Sequence, residues 1–142
     1  MNRIETTIYV EPTPKARPRS RIVPGKAGGR PWVQTYTPKK TEDAEADVRA
    51  MIRTQVMELG AFEPGVPIRI EATFYREKPK SSPKRVTMPV TRPDYDNYAK
   101  LLTDALEKFV YKDDSQICTA LIKKRFGSPP RIELAIEVDE EV

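Results

Sequence analysis

Val66-Pro-Ile-Arg-Ile-Glu-Ala-Thr-Phe74 carries the most regular alternation in the chain. Val66, Ile68, Ile70, Ala72 and Phe74 share one side, while Arg69, Glu71 and Thr73 share the other. A period of two is that of a strand with one buried face. The same alternation recurs near the end of the chain, where Ile132, Leu134, Ile136 and Val138 interleave with Arg131, Glu133 and Glu137. Ile4, Thr6, Ile8 and Val10 predict a first strand, Trp32 to Tyr36 a short one, and the periodic region 115–125 another.

Two segments change period. Ala44, Val48, Met51, Ile52, Val56 and Leu59 recur at helical spacing, which predicts a helix over 39–59 that stops at Gly60. Tyr98, Leu101, Leu102, Ala105, Leu106 and Phe109 predict a second helix over 95–110. Prolines keep two other stretches out of helices. One is a basic arm or long hairpin at about 12–36, and the other a basic proline-rich loop at about 77–93. The order is strand, arm, helix, strand, helix, strand, strand. It predicts a single α+β domain spanning residues 1–142, a small mixed β-sheet with two main α-helices.

Composition narrows the chemistry. The chain has no histidine, which removes imidazole as base, proton shuttle and metal ligand. The single cysteine, Cys118, precludes an intrachain disulfide and a cysteine-rich zinc site, and is read as a small buried hydrophobe. No run of 18 apolar residues predicts a membrane span, and the N-terminus lacks the apolar run of a signal peptide, so a cytoplasmic setting is expected. The net charge of +4 hides an asymmetry. Residues 1–40 hold nine Lys/Arg against two Asp/Glu, and residues 66–93 hold seven against two. Acidic residues gather in 41–65 and 94–114. Basic segments around an acidic cluster suit a polyanion and a metal cation.

The acidic cluster begins at Asp94-Tyr-Asp96-Asn97-Tyr-Ala-Lys100 and continues at Asp113-Asp114. Asp94 and Asp96 face one side if the segment is extended, and diverge by about 200° if it is helical. Asp94 is therefore expected outside the helix and Asp96 at its N-terminus. Asp96 alone reads as a cap, Asp96/Lys100 as a surface pair, and Asp113-Asp114 as a turn. Together they suit another task, if a following turn returns Asp113 or Asp114 beside Asp96. Mg²⁺ relieves the repulsion of clustered carboxylates and activates a phosphodiester toward hydrolysis, while Lys100 is expected either to stabilise the developing charge or to orient the water.

Arg92-Pro-Asp94-Tyr-Asp96-Asn97-Tyr-Ala-Lys100, Asp104-Ala-Leu106 and Tyr111-Lys-Asp113-Asp114-Ser-Gln116 together strongly resemble the signature of the RusA family of Holliday-junction resolvases. Pro14-Lys-Ala-Arg-Pro-Arg19 and Thr35-Tyr-Thr-Pro-Lys39 look more loosely like phage-type members. The resemblance implies a homodimeric, Mg²⁺-dependent crossover junction endodeoxyribonuclease, with Mn²⁺ as a substitute ion and no nucleotide cofactor. Carried over, the metal-binding aspartates are Asp94, Asp96 and Asp114, and the functional lysine is Lys100. Asp104 is expected to act behind them or structurally. The setting is a bacterial or phage-infected cell. Candidate contacts to four-way junction DNA are Lys15, Arg17, Arg19 and Arg21 on the arm, and Lys78, Lys80, Lys84 and Arg85 on the loop. Trp32 and Tyr36 are candidates for stacking on unpaired bases. A two-fold junction also calls for two sites on a two-fold axis. The competing readings are a branched-DNA nuclease of broader specificity and a noncatalytic DNA-binding module.

Overall fold

A computed structural model describes residues 1–140. Four strands form a mixed sheet: β1 (Arg3–Ile8), β4 (Ile68–Arg76), β5 (Ile117–Phe126) and β6 (Arg131–Val138). Their spatial order is β1-β6-β4-β5, antiparallel except for the parallel β4–β5 pair. Two further strands, β2 (Arg19–Val23) and β3 (Trp32–Tyr36), form a separate antiparallel hairpin. The helices are α1 (Lys39–Leu59) and α2 (Tyr95–Leu106). The expected α+β class is thus the observed one, and the basic arm resolves as a hairpin.

Strand β4 lies inside the sheet, between β6 and β5. Its alternation explains why. Ile68, Ile70, Ala72 and Phe74 are buried with Ile132, Leu134 and Ile136 of β6 and Ile4 and Ile8 of β1. Both helices cover this face. The opposite face carries charge, including the Lys123–Glu71 pair at 2.9 Å and the pair between Arg3 and Glu137. From α2, Tyr98, Leu101, Leu102, Ala105 and Leu106 are all buried, as their spacing predicts. Tyr98 stacks on Phe74 with ring centroids 5.1 Å apart and planes 8° from parallel. A parallel β4–β5 pair needs a long crossover, and α2 lies within it.

Several expectations are corrected. Only Val48, Ile52 and Val56, with Thr41, are buried along α1, whereas Met51 is 50% and Leu59 47% exposed. The buried positions form one narrow stripe along the side of α1 that packs against α2 and β1. Helix α2 ends at Leu106 rather than near 110, because Lys108 turns left-handed (φ 64°) and its N–H donates to Tyr111 O at 2.7 Å. Val10 lies beyond β1. Cys118 is exposed, since β5 is an edge strand. An acidic tail over 139–142 reads as frayed from sequence, yet Asp139 is fixed by Thr119 Oγ1 at 2.6 Å and by its own N–H on Pro67 O at 2.8 Å. Residues 141 and 142 lie outside the described residues.

Gln116 closes the fold at the start of β5. It is 7% exposed. Its Oε1 accepts from the N–H groups of Lys112 and Asp113, both at 3.1 Å, and its Nε2 donates to Glu63 O and Val66 O, both at 3.0 Å. All four bonding positions of the amide are used. Gln116→Ala removes a buried amide and leaves four half-buried backbone groups without their partner, which should cost on the order of 3 kcal/mol. Urea unfolding checks this, and an unchanged midpoint would show that the turn holds without the amide.

Candidate active site

Helix α2 is the platform of the site. Asp96, Lys100, Thr103 and Glu107 follow one another at i, i+4, i+7 and i+11, which places them on one stripe opposite the buried one. Asp94 occupies the N-cap position in extended conformation, so the cap falls two residues earlier than the sequence suggested. Asp96 sits in the first turn, where the helix dipole favours negative charge. The Asp94 side chain makes no cap bond. Among the described residues neither carboxylate has a hydrogen bond or ion pair, and both are exposed.

Two cations fix the backbone ahead of Asp94. Lys124 Nζ donates to Thr91 O at 2.9 Å and to Pro93 O at 2.8 Å. Arg76 Nη1 donates to Arg92 O at 2.8 Å, its Nη2 to Thr91 Oγ1, and its guanidinium lies 5.6 Å from the Phe126 ring centroid. Three consecutive carbonyls are thus held from two sheet strands. No pattern in the sequence marked Arg76 or Lys124 for this role.

The far end of α2 holds the second acidic pair. Asp113 and Asp114 are adjacent yet differ in use. Asp113 caps the short 3-10 turn Asp114–Gln116, accepting from Ser115 N at 2.8 Å, and that bond holds its carboxyl below the usual range. Asp114 turns toward α2 instead. Its Oδ1 lies 2.7 Å from the hydroxyl of buried Tyr111, which is also 3.2 Å from Thr103 O. Burial first, then Asp114, pushes the Tyr111 phenol far above its usual value, so it remains a donor. Asp104, Glu107 and Asp114 each place one carboxylate oxygen within 4.8 Å of the others. Glu107 was absent from the sequence-derived set, although its helical spacing from Asp96 and Lys100 was a readable signal.

Lys100 stands between the two ends. Its Nζ is 3.0 Å from Asp104 Oδ1, and that hydrogen bond chiefly raises its pKa. The other Asp104 oxygen is 3.1 Å from Lys15 Nζ, which is also 2.8 Å from Glu45 Oε1. Burial lowers the pKa of Lys15, but its two carboxylate partners more than reverse this. Lys15 therefore differs from the other expected DNA contacts. Arg17, Arg19, Arg21, Lys80, Lys84 and Arg85 are exposed, and Lys78 reaches back to Pro83 O at 2.9 Å.

The chain does not bring Asp94, Asp96 and Asp114 together. Asp114 sits level with Thr103 to Glu107. From Asp96 to that level is roughly 10–16 Å along the helix axis at 1.5 Å per residue. Oxygens that share one Mg²⁺ lie within about 4 Å of one another, and the set that Asp114 forms with Asp104 and Glu107 includes neither Asp94 nor Asp96. One chain thus holds two separate acidic sets, with an exposed lysine between them. Asp96 and Lys100 line an open cavity of about 560 Å³ with Tyr95, Ala99, Thr103 and Ala120 to Ile122 of β5.

Carboxylate sets around a lysine, on a domain with a separate basic hairpin, suit a nuclease acting on a polyanion. The chain belongs to the RusA family of endodeoxyribonucleases. The family described as endodeoxyribonuclease RusA matches residues 10–137, most of the chain. It is also similar to "Uncharacterized protein YqaN" of Bacillus subtilis (strain 168), 32% identical over 146 residues and covering 96% of each chain. Membership implies resolution of Holliday junctions in DNA recombination, binding of junction DNA, and a divalent metal. No helix among the described residues is long and apolar enough to cross a membrane.

Tyr111→Phe keeps the buried ring and frees Asp114. Junction cleavage should fall about tenfold, with a stability loss of about 1 kcal/mol. Unaltered single-turnover rates would show that Asp114 needs no such anchor.

Proposed function

We propose that this protein is a Mg²⁺-dependent homodimeric resolvase that cuts four-way junctions by paired, symmetric phosphodiester hydrolysis. The observation that carries the reading is the partition of Asp94 and Asp96 from Asp114 by the length of α2. A two-fold partner placed antiparallel along α2 sets Asp94 and Asp96 of one chain beside Asp114 of the partner subunit. Two such sets arise at once, one for each strand to be cut. The free edge of β5 supports this arrangement. Cys118, Ala120 and Leu121 are exposed there, and β5 runs from the turn holding Asp114 to Lys124 on Pro93 O. Antiparallel pairing of two β5 edges brings the opposite ends of the two α2 helices together.

The donors fit the ion. They are hard carboxylate oxygens, and those of Asp94 and Asp96 have no partner among the described residues. Asp94 and Asp96 with Asp114 would hold Mg²⁺ or Mn²⁺, which would supply Lewis-acid polarisation of the phosphate and a more acidic water. Lys100, 59% exposed, moves from Asp104 to the scissile phosphate and stabilises its extra negative charge. Asp104 has an ammonium on each oxygen and suits that role better than metal ligation.

The β2–β3 hairpin supplies the DNA surface. Directly opposed residues share a face, so Arg19 and Tyr36, Arg21 and Gln34, and Val23 and Trp32 line one side. Arg21 lies 5.2 Å from the Tyr36 ring centroid. Segment 19–36 holds four basic residues and no acidic one. Such a basic and aromatic face suits unpaired bases and flanking phosphates. Lys80, Lys84 and Arg85 provide a second basic surface.

Mixing of inactive subunits tests the composite site. Asp96→Asn and Asp114→Asn should each lose cleavage by at least about 10³-fold while retaining junction binding. A heterodimer of the two should regain nicking, because one of its two sites then contains no substitution. No regained nicking from a verified heterodimer would place all ligands in one chain. EDTA should abolish wild-type cleavage, and equal cutting of linear duplex would exclude the resolvase reading.

A further inference from the structure

We propose that Lys15 is a positioning residue for Lys100 and not a phosphate contact. It resting on the reading of Lys100 as the phosphate-directed lysine, the proposal concerns how that lysine is held and released. Lys15 begins the basic arm, and its charge alone would assign it to DNA. Its surroundings assign it elsewhere. Its side chain is 21% exposed, between Glu45 at 14% and Asp104 at 19%. The ammonium meets both carboxylates, at 2.8 Å and 3.1 Å. Its backbone N–H donates to Asn97 O at 2.9 Å, and the next N–H, of Ala16, reaches Thr41 Oγ1 at 3.4 Å. The root of the arm is thereby fixed to α1 and α2 together.

The consequence lies at Asp104. One oxygen takes Lys15 and the other takes Lys100. Lys15 is enclosed and doubly paired, whereas Lys100 is 59% exposed and singly paired. When Lys100 swings to a phosphate, Asp104 keeps Lys15 as its counter-ion. A half-buried carboxylate left without any cation would resist that departure. Lys15 also weakens the hold of Asp104 on Lys100 by sharing its charge. Glu45 keeps Lys15 in place on the α1 side. An arginine retains the charge and two-sided hydrogen bonding, while a methionine retains only the apolar stem.

Full-length wild type, Lys15→Met and Lys15→Arg distinguish the roles. Three quantities are compared: single-turnover cleavage of a four-way junction at saturating protein, junction Kd across a salt series, and the acetic-anhydride acetylation rate of Lys100 in free protein, read by mass spectrometry. Lys15→Met should lower the cleavage rate about tenfold or more, keep Kd within about twofold, and leave the slope of log K against log salt unchanged. Lys100 should acetylate more slowly in Lys15→Met, because Asp104 then pairs with it alone. Lys15→Arg should recover most of the rate. A weaker Kd, a salt slope reduced by about one and an unchanged saturated rate would make Lys15 a phosphate contact and overturn the proposal. Should Lys15→Met not fold, Lys15→Gln, which keeps a donor between Glu45 and Asp104 without the charge, carries the same test, with a loss of rate and the same unchanged slope expected. The acetylation readout needs no nuclease activity. Slowed Lys100 acetylation in a chain that cuts no junction would sink the resolvase reading and keep the latch, whereas unchanged acetylation in an active chain would sink the latch alone.

Discussion

Helix α2 takes its position from the contact between Tyr98 and Phe74, and the chemistry of the site follows from that position. The stacked rings join the first turn of the helix to a buried interior strand. Leu101, Leu102, Ala105 and Leu106 continue the contact along the same side. Burying an aromatic ring contributes roughly 1.5–3 kcal/mol, and stacked geometry adds about 1 more. Because a helix has two sides in fixed relation, burying one stripe determines the direction of the other. Asp96, Lys100, Thr103 and Glu107 emerge together for that reason. The aspartates at its start need no folding role of their own, since apolar packing already holds the helix.

Much of this was legible in residue periodicity. The alternation at 66–74 marked a strand, and the spacing of Tyr98, Leu101, Leu102, Ala105 and Leu106 marked the buried side of α2 correctly. Periodicity did less well at boundaries. Phe109 fits the helical pattern, but Lys108 adopts a left-handed turn that pattern alone does not reveal. Met51 and Leu59 fit the stripe of α1 yet are exposed, because burial depends on which elements pack against each position, and spacing does not state that. Cys118 reads as interior because its neighbours are apolar, whereas strand order places it at an edge.

The site was legible in its residue types more than in its assembly. A chain without histidine points to carboxylates and lysine, and the aspartates flanking α2 stood out at once. Their separation did not. It depends on the chain leaving the C-terminal end of α2, forming a capped turn, and returning along β5. Nor did charge distinguish Lys15 from Arg17, two residues later, though one is enclosed by carboxylates and the other exposed. Lys124 and Arg76 likewise bind backbone carbonyls, partners that leave no mark in residue identity. Sequence reads the charge of a side chain; its partner is fixed by the fold.

The use of a helix to separate the acidic sets has a mechanical consequence. A loop of similar length would let the distance between Asp96 and Asp114 fluctuate, and a metal could then draw them together within one chain. A hydrogen-bonded helix packed along its whole buried side resists that compression. Its ends therefore act as fixed points about 16 Å apart. In the proposed two-fold arrangement, each complete site joins one end of a helix to the opposite end of its partner. The helix length then sets the spacing between the two sites. A junction whose scissile phosphates match this spacing can occupy both without distorting the protein, while the two-fold-related phosphates of a linear duplex are held at separations that the double helix sets. Selectivity for branched DNA can thus arise from the rigidity of α2 and the symmetry of the assembly, without any side chain that reads base sequence.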